Sequence, residues 1–247
     1  MPYSVPATKI IYDTKRKVGA NGGGRHGDVT LMDFVSAVNE ALEIWFSSMV
    51  EAAEVNPAAR AEIDVYEEKL IPLTLQGSRD GITRADLPDD LYRRLNQRAV
   101  ATRPSCCGDI KKNIIIRIPG SDDINEAIGN PYRRADFFFE QLFGSQSAGQ
   151  LFVYDQGEMI IESVIIDYYR LPAPLHAPSL VKCKEDSGKY YLYDGQAVTK
   201  DTQFAAANRQ ADRKISDIAA LLIAREERDY NAFQAHLQSI LAISKLN

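Results

Sequence analysis

The chain has few of the residues on which metal binding and nucleophilic catalysis depend. It contains only three cysteines and three histidines, which are Cys106, Cys107, Cys183, His26, His176 and His236. The histidines are far apart in sequence, and the cysteines lack the spacing of zinc ligands. The nucleophile motif G-x-S-x-G is also absent. We therefore predict no catalytic residue, no metal site and no cofactor, and we expect a protein that is not an enzyme.

The chain also lacks long apolar runs and an excess of basic charge. No stretch approaches the roughly 20 apolar residues that a membrane-spanning helix needs. The N-terminus lacks the basic start and apolar core of a signal peptide, so folding in a cytoplasm is expected. The 29 Lys and Arg residues against 34 Asp and Glu residues give a net charge of −5. This balance argues against a protein whose main task is to grip phosphates, but it suits a surface past which DNA slides.

The first 27 residues contain two early prolines, a basic triplet and a cluster of glycines, namely Pro2, Pro6, Lys15–Lys17 and Gly19–Gly24. The phosphate-loop pattern G-x-x-x-x-G-K-[ST] is absent from this segment. Glycine and proline favour flexible or extended backbone. We therefore predict that residues 1–27 form an extended N-terminal arm, of the kind that docks on a neighbouring subunit.

A helix is predicted from about Asp28. Thr30 and Asp33 have the spacing of a capping box, and apolar residues then recur in steps of four and three along one face. Trp45 belongs to this face, where it either packs in the core or meets a partner chain. Asn56-Pro57 is expected to end or kink the helix, because proline removes a donor and restricts the residue before it.

Further helical patterns follow this helix and close the chain. Residues 58–70 and 91–101 are predicted to be helical, and a last helix is predicted from about Phe204 to Asn247. We expect a helical body over residues 28–105. C-terminal helices over residues 201–247 are expected to pack back on that body.

Residues 106–200 are rich in β-branched and aromatic residues, with Gly and Pro between the runs. In Met159–Arg170, apolar residues occupy positions that would point to either face of a strand. This strand is therefore either covered on both faces or bends near Ser163. The glycine of Asp155–Gly157 suits a hairpin between Leu151–Tyr154 and the strand that follows.

The sequence therefore predicts an α+β fold. A helical bundle with a long C-terminal helix is expected to carry an inserted antiparallel β module of hairpin or sandwich type. A second hairpin, from Val181 to Tyr193, would belong to this module.

Paired charges are the remaining candidates for chemistry. Asp89-Asp90 and Asp122-Asp123 lie in predicted turns, where aspartates usually cap helices or bind their own backbone. Arg133-Arg134 is interpreted as a solvated pair or a contact to an acidic neighbour, with phosphate binding as the alternative. The tyrosines of Tyr190–Tyr193 could stack on bases, but little basic charge surrounds them, so packing within a hairpin is the preferred interpretation.

Four segments of the chain match a known arrangement: a first helix with aromatic residues in its middle, a polar loop, a hairpin that ends in Tyr-x-Arg-x-Pro, and a closing helix. They are Asp28–Val50, Asp122–Arg134, Gly149–Pro174 and Ile215–Asp229. In this arrangement the chain resembles the head-to-tail connector (adaptor) proteins of tailed bacteriophages, and most of all the ring proteins of crAss-like phages.

The resemblance implies a ring of identical subunits, a dodecamer in most adaptors, with the portal protein above it and another neck or tail protein below. Double-stranded DNA would pass through the ring without sequence recognition. The ring would lie in the neck of the virion, and its subunits would be made in the host cytoplasm. The candidate subunit-contact residues are Trp45, Arg133, Arg134, Tyr168, Tyr169 and Arg170. The alternatives are a monomeric or dimeric phage-encoded binding module, or an enzyme whose site is assembled only in the fold.

Overall fold

The computed structural model describes residues 3–21, 29–106, 108–119, 129, 134–180, 190–191, 197–198, 200–206 and 210–226. The chain divides into two compact units. The terminal unit consists of Met1–Val65 together with Pro172–Asn247, and the central unit is Tyr66–Leu171.

Strands outnumber helices in the described part of the chain. In chain order the elements are β1 (Tyr3–Pro6), α1 (Ala7–Asn21), α2 (Leu31–Ala52), α3 (Pro57–Ile63), β2 (Glu67–Pro72), β3 (Leu75–Arg79), β4 (Ile82–Asp86), β5 (Leu91–Arg103), β6 (Ile110–Arg117), β7 (Leu142–Ser147), β8 (Gln150–Tyr154), β9 (Ile160–Arg170), β10 (Tyr190–Tyr191), β11 (Ala197–Val198), β12 (Gln203–Ala206) and α4 (Ala211–Glu226). Among these helices, none has both the length and the hydropathy that crossing a bilayer requires.

The predicted helical bundle with a long C-terminal helix is wrong, because the described fold is mostly β. The predicted helix over residues 91–101 is strand β5, and the helix predicted over 58–70 ends at Ile63. Residues 203–206 are strand β12, so the last helix begins only at Ala211. Residues 227–247, where the rest of that helix was predicted, lie outside the described residues.

The N-terminal segment is a buried part of the terminal unit. Ile10, Thr14 and Val18, which are four residues apart on α1, are all buried. β1 pairs with β12, and α1 packs against α4. The prediction of an extended arm is therefore wrong over residues 7–21, where spacing by four places one face of a helix against the core.

Charged contacts hold α1 against α4. Lys9 binds the buried carboxylate of Asp212, and hydrogen bonding to that carboxylate raises the pKa of Lys9. The Nζ atom of Lys17 lies 2.6 Å from a carboxylate oxygen of Asp217 and 2.6 Å from the hydroxyl oxygen of Ser216. Both aspartates are thus buried with a cationic partner, as burial of a carboxylate requires.

The predicted capping box of Thr30 and Asp33 is confirmed, and the helix that it starts begins at Leu31. The Thr30 hydroxyl accepts from the backbone N–H of Asp33, and the Asp33 carboxylate accepts in return from the backbone N–H of Thr30 at 2.7 Å. α2 ends at Ala52, five residues before Pro57, and Pro57 is instead the first residue of α3, which Asn56 caps. Trp45 packs edge-to-face on Phe204, with ring centroids 5.6 Å apart.

The central unit is one curled eight-stranded sheet with the order β2-β9-β5-β6-β7-β8-β4-β3. All neighbouring strands are antiparallel except β6 and β7, which are parallel. The two outermost strands, β2 and β3, are consecutive in sequence and are joined by Leu73 and Thr74 alone. The three Cα–Cα steps from Pro72 to Leu75 span at most about 11 Å, so the sheet must curl to bring the end of β2 and the start of β3 close together.

The curled sheet encloses a single apolar cluster, which consists of Leu73, Ala85, Ala99, Ala101, Ile114, Ile116, Ala135, Phe137, Leu142, Leu151, Val153, Met159, Ile161, Val164, Ile166 and Tyr168. Alternate residues of each strand point to the same face, and on β6 this places Ile114 and Ile116 inside and Ile115 outside.

Along β9, the buried side chains change from odd-numbered to even-numbered positions at one point. Ile161 is buried, and after it the even-numbered Val164 and Ile166 are buried instead. Where β9 faces β5, the ladder passes from Ser163 directly to Ile161, so Glu162 is an extra residue. A bulge of this kind shifts the alternation by one residue and bends the strand. The bulge explains why apolar residues occur at both odd and even positions of β9, close to Ser163, where a bend was one of the two expectations.

The predicted hairpin between residues 151–154 and β9 is wrong. β8 pairs with β4 and β7, whereas β9 pairs with β2 and β5. The backbone N–H groups of Asp155 and Gln156 donate instead to the carbonyl oxygen of Gly81, at 3.0 and 2.9 Å. A Cβ atom at Gly81 would lie 2.7 Å from the Cα of Gln156, so glycine is required where these two turns meet.

The second predicted hairpin falls mostly outside the described residues. Its described part is β10, which pairs antiparallel with β11. Residues 181–189, which include its predicted first strand, are outside the described residues.

A candidate binding cavity and an aromatic turn in the central unit

A cavity of about 590 Å³ lies in the central unit at the end of β6. Its lining comes from the first half of β5, the end of β6 and one residue of β7: Leu91, Tyr92, Arg93, Arg94, Leu95, Asn96, Gln97, Ile115, Ile116, Arg117 and Gln146. β6 ends at Arg117, two residues before Pro119. Proline has no N–H to give to a ladder, which explains why the strand stops here.

The cavity adjoins the last three residues of β6, Ile115, Ile116 and Arg117. β6 pairs with β5 only from Arg98 onward, and with β7 only at Ile116 and Arg117. Beyond Arg117, β5 and β7 continue on either side.

Arg94 is fixed in this cavity by a chain of hydrogen bonds. The Gln97 side chain donates to the backbone oxygen of Ile116 at 2.9 Å and accepts from Nη1 of Arg94 at 3.0 Å. The guanidinium is partly buried, and this burial lowers the pKa of Arg94. Arginine still keeps its charge at neutral pH, so Arg94 is a positioned cation whose recorded partner is a neutral amide.

β5 and β6 are basic strands in an acidic chain. Four basic residues lie on β5 and three on β6, with no acidic residue on either: Arg93, Arg94, Arg98, Arg103, Lys111, Lys112 and Arg117. Three of them have carboxylate partners farther along the strands, since Lys111 binds Glu162 and both Lys112 and Arg103 lie near glutamates. Among the residues that the structure describes, the lining of the cavity contains no carboxylate.

A second feature of the central unit is a tight turn from Asp136 to Gln141, which we call the aromatic turn. The backbone groups of Asp136 and Gln141 bond to each other in both directions, at 3.0 and 2.9 Å. The Asp136 carboxylate accepts from the N–H groups of Phe138 and Phe139, at 2.7 and 2.9 Å. These bonds hold Phe138 and Phe139 at the surface, 64% and 79% exposed.

Neighbouring side chains fix the base of the aromatic turn. Phe137 is buried in the core and packs edge-to-face on Phe138, with ring centroids 6.0 Å apart. The Arg103 guanidinium lies 4.9 Å from the centre of the Phe138 ring, and Lys112 donates to the Phe138 carbonyl oxygen at 3.3 Å. Two adjacent exposed phenylalanines on a braced turn are typical of an anchor for a partner protein.

Three of the six predicted contact residues lie in the cores of the two units. Trp45 is 2% exposed, and its Nε1 has no hydrogen-bond partner among the described residues. Tyr168 and Tyr169 are buried as well. The Tyr168 hydroxyl donates to Asp90 at 2.9 Å, and burial together with that carboxylate raises the pKa of Tyr168 to about 12. These side chains therefore pack within the chain.

The other predicted contact residues are arginines. Arg170 is at the surface, with its Nε atom 3.4 Å from a carboxylate oxygen of Glu68. Arg134 is exposed and lies 3.9 Å from Glu158, which places it beside an acidic residue. Arg133 lies outside the described residues.

For the alternative of an enzyme, a site would have to gather Asp122, Asp123 and a histidine, and most of these residues are outside the described part of the chain. Asp122, Asp123, His26 and His236 are not described. Burial lowers the pKa of His176. Within the described residues, no group of three His, Cys, Asp or Glu side chains could hold a metal ion.

Sequence reasoning missed Arg94, Arg117 and the aromatic turn. Arg94 was placed in a predicted helix, where a charged side chain indicates a solvated face. The run Phe137–Phe139 belongs to the aromatic-rich segment 106–200 that the sequence predicts to be β, but a run of one residue type does not show which member is buried. Asp136 just before the run was the available signal, because aspartate at the start of a turn binds the N–H groups that follow.

Comparison of the chain with protein-family models and with curated proteins finds no match in either set.

Proposed function

We propose that this protein is a structural protein of a phage virion that assembles into a ring in the neck, between portal and tail. It works through contacts between subunits and with the portal, and it catalyses no reaction. The observation that carries the proposal is the aromatic turn, a rigid exposed pair of phenylalanines that suits burial against another protein. The sequence resemblance to connector proteins supplies the kind of assembly.

A ring places particular demands on its subunit. In a heterologous contact, two different surfaces of the same chain meet, one from each neighbour. The central unit has two such unlike surfaces: an apolar one at Phe138 and Phe139, and a basic one at the cavity. This chemical difference supports head-to-tail contacts rather than the self-complementary patch of a two-fold dimer.

The proposed partners are further copies of the chain, the portal protein above and another neck or tail protein below. Double-stranded DNA passes through the ring without sequence recognition. The net charge of −5 supports this last point, because a surface of mostly acidic balance releases DNA that slides past it.

A second candidate function is that of a monomeric or dimeric binding module. The cavity at the end of β6 favours it, since a cavity with positioned polar groups can bind a ligand without any ring. The two candidates differ in oligomeric state, with and without the portal.

The test is assembly of the full-length protein with the portal of its own phage. Native mass spectrometry and electron microscopy are expected to show rings on the portal for the unmodified chain. The variant F138S/F139S is expected to fold but to lose at least about tenfold in assembly affinity, because two large apolar contacts in an interface centre are removed.

The matched control is Val55→Ser, which removes an apolar residue that is 87% exposed in the terminal unit. It is expected to assemble normally. A chain that stays monomeric with portal present, or an F138S/F139S variant that assembles as well as the control, would contradict the proposal.

A further inference from the structure

We propose that the outer face of β4, β8 and β7, which is turned away from the enclosed apolar cluster, binds a neutral oligosaccharide. We call this surface the aromatic face, after its three aromatic side chains, Phe143, Phe152 and Tyr154. Sugar rings would stack on these side chains and bond to the polar groups around them. The ring proposal does not use this surface, and the inference holds for a ring subunit and for a monomeric module alike.

Strand pairing places the three aromatic side chains side by side. Leu151 and Val153 of β8 belong to the enclosed apolar cluster, so the alternate residues Phe152 and Tyr154 face outward. Phe143 of β7 is directly opposite Tyr154. Opposite residues have Cβ atoms about 4.5–5.5 Å apart, and residues two apart on one strand are about 6.7 Å apart. The three rings therefore form one compact patch.

The patch lies in a continuously described part of the sheet. The strands β3, β4, β7 and β8, together with the turns that precede and follow them, fall within residues 73–90 and 134–159. All three aromatic side chains are half-buried, so each keeps part of its surface accessible. They lie outside the apolar core, and aromatic side chains are prominent in the lining of small-molecule sites.

Polar side chains flank the middle ring of the patch. Arg84 of β4 is exposed and lies opposite Phe152, with its guanidinium carbon 5.7 Å from the centre of that ring. Ser145 of β7 is opposite Phe152 on the other side, and its hydroxyl oxygen is 2.9 Å from that of Tyr154. Guanidinium groups donate hydrogen bonds, and hydroxyl groups both donate and accept them. A sugar ring on Phe152 would thus meet hydrogen-bonding groups on both sides.

Asp86 provides a positioned acceptor in the neighbouring row of the face. Its carboxylate accepts from the Gln150 amide at 3.0 Å and also from the Gln76 amide. An ionised carboxylate has about four acceptor sites, and these two recorded bonds use two of them. The two amides fix the orientation of the carboxylate, and its further acceptor sites suit the adjacent hydroxyl groups of one sugar ring.

The charge balance of the face matches a neutral ligand. Its three strands contribute one cation, Arg84, and one anion, Asp86. On the flanking strands, Arg117 ends β6, and the Nε atom of Arg79 lies 3.5 Å from a carboxylate oxygen of Asp80. Surfaces that hold single-stranded nucleic acid combine aromatic side chains with a strongly positive groove, which these charges do not supply. Uncharged sugar fits better, because its C–H groups can pack on the negative face of an aromatic ring.

The probes for this site are three neutral hexasaccharides, built of β-linked glucose, β-linked N-acetylglucosamine and α-linked glucose. Saturation-transfer NMR with the full-length protein is expected to show that C–H protons of at least one of them contact the protein. Titration of that sugar is expected to be saturable. Added salt should leave its affinity unchanged, because screening weakens only interactions between charges.

Variants of Phe152 test the stacking. Phe152→Leu keeps an apolar side chain but removes the flat ring, and it is expected to weaken binding about tenfold or more, as loss of a central aromatic anchor does. Phe152→Tyr keeps the ring and is expected to bind like the unmodified protein. The matched control is Tyr12→Ala, which removes an aromatic side chain of α1 that is 60% exposed and should leave binding unchanged.

One further variant guards against a change that disturbs folding. Because Arg84 is exposed, Arg84→Gln should fold normally, and circular dichroism verifies the folding of every variant. It is expected to weaken binding by about threefold or more, the usual effect of losing one hydrogen bond.

Several outcomes would overturn the inference. These are no saturable binding of any of the three sugars, equal binding by Phe152→Leu and Tyr12→Ala, or equal losses for Phe152→Tyr and Phe152→Leu. Tighter binding of a single-stranded oligonucleotide that requires Phe152 and weakens with salt would assign the face to nucleic acid instead. The ring proposal is judged separately, since a monomer that binds sugar would support this site and contradict the ring, and a ring that binds no sugar would do the reverse.

Discussion

The terminal unit and the central unit build their cores from different parts of the chain. In the terminal unit, residues from the two ends of the sequence meet: α1 packs against α4, and Tyr3 pairs with Ala206. The central unit is a single contiguous segment, and its most extensive ladder joins β5 and β9. The comparison teaches that loss of either chain end should damage the terminal unit and spare the central one. Four experiments test this comparison.

The largest effect is expected from deletion of residues 1–21. The deletion removes buried apolar side chains of β1 and α1, which are Val5, Ile10, Ile11 and Val18. Burial of each of these side chains contributes about 1.5–3 kcal/mol to the free energy of unfolding. The sum is comparable to the free energy of unfolding of a whole domain, about 5–15 kcal/mol. Hydrogen exchange measured by mass spectrometry should show that α2 loses protection while β5 and β9 keep it.

The control for this deletion is Arg16→Ala, which removes an exposed side chain of α1 and should leave exchange unchanged. If α2 keeps its protection after the deletion, the N-terminal segment is not part of the core. If β5 and β9 also lose protection, the two units do not unfold separately and the comparison fails.

Trp45→Ala should lower the free energy of unfolding of the terminal unit by about 3–5 kcal/mol, the usual effect of emptying a large core site. Urea unfolding followed by circular dichroism measures this change. Trp45→Phe should be milder, because a ring still faces Phe204 and the indole N–H donates to no described atom. A fully stable Trp45→Ala variant would show that this ring does not support the core.

Asp155→Ala tests the central unit by itself. The Asp155 carboxylate is buried and accepts from the Thr83 hydroxyl and the Gly157 N–H, both at 2.9 Å. Loss of this carboxylate should lower the free energy of unfolding of the central unit by about 1.5–3 kcal/mol. Amide hydrogen exchange should become faster in β4 and β8 and stay unchanged in α2. Asp89→Ala, which removes an exposed aspartate of the same unit, should be nearly neutral. Equal effects of the two substitutions would argue against a role for the Asp155 turn.

The smallest effect is expected at Glu162, the extra residue in the bulge of β9. Hydrogen bonds from Lys111 and Thr102 hold the pKa of Glu162 below its ordinary value. A lowered pKa in the folded state stabilises the fold above the unfolded pKa, and this contribution is lost as the pH falls through the folded pKa. Lys111→Met should therefore raise the pKa of Glu162 in a carbon-13 NMR titration. The control is Lys69→Met, which removes a lysine that lies near Glu67 and should leave the pKa of Glu162 unchanged.

Helix signals in the sequence were reliable where an end is marked by side-chain chemistry. The capping box at Thr30 appears in the structure, and Pro57 marks a helix start rather than the end of α2, because each signal depends on neighbouring residues only. The N-terminal helix was not predicted, because the basic triplet Lys15–Lys17 and the glycines after it indicate exposed, flexible backbone. The buried face of this helix is formed by Ile10, Thr14 and Val18.

Strand signals failed where the sheet is irregular. β5 contains arginine, leucine and alanine, which favour helices locally, and its ladder with β9 has three register shifts that interrupt the period of two. Pairing with β9 and β6 overrides the local preference. The long strand β9 was recognisable because β-branched residues dominate it, and its bulge at Glu162 accounts for the double apolar phase.

The binding cavity was the least predictable feature. It depends on β6 stopping between β5 and β7, and the parallel pairing of β6 with β7 has no local signature in the sequence. Arg94 and Arg117 are separated by more than twenty residues along the chain, and only the fold of the sheet brings them together. Surface arginines of this kind are indistinguishable in sequence from solvated ones.

The strands through which the chain enters and leaves the central unit are neighbours, with Glu67 opposite Tyr169. Paired antiparallel residues have Cα atoms about 5 Å apart, a span that an ordinary tight turn can bridge. A gene could therefore gain, lose or exchange the middle hundred or so codons in one recombination event while the flanking polypeptide keeps its own geometry.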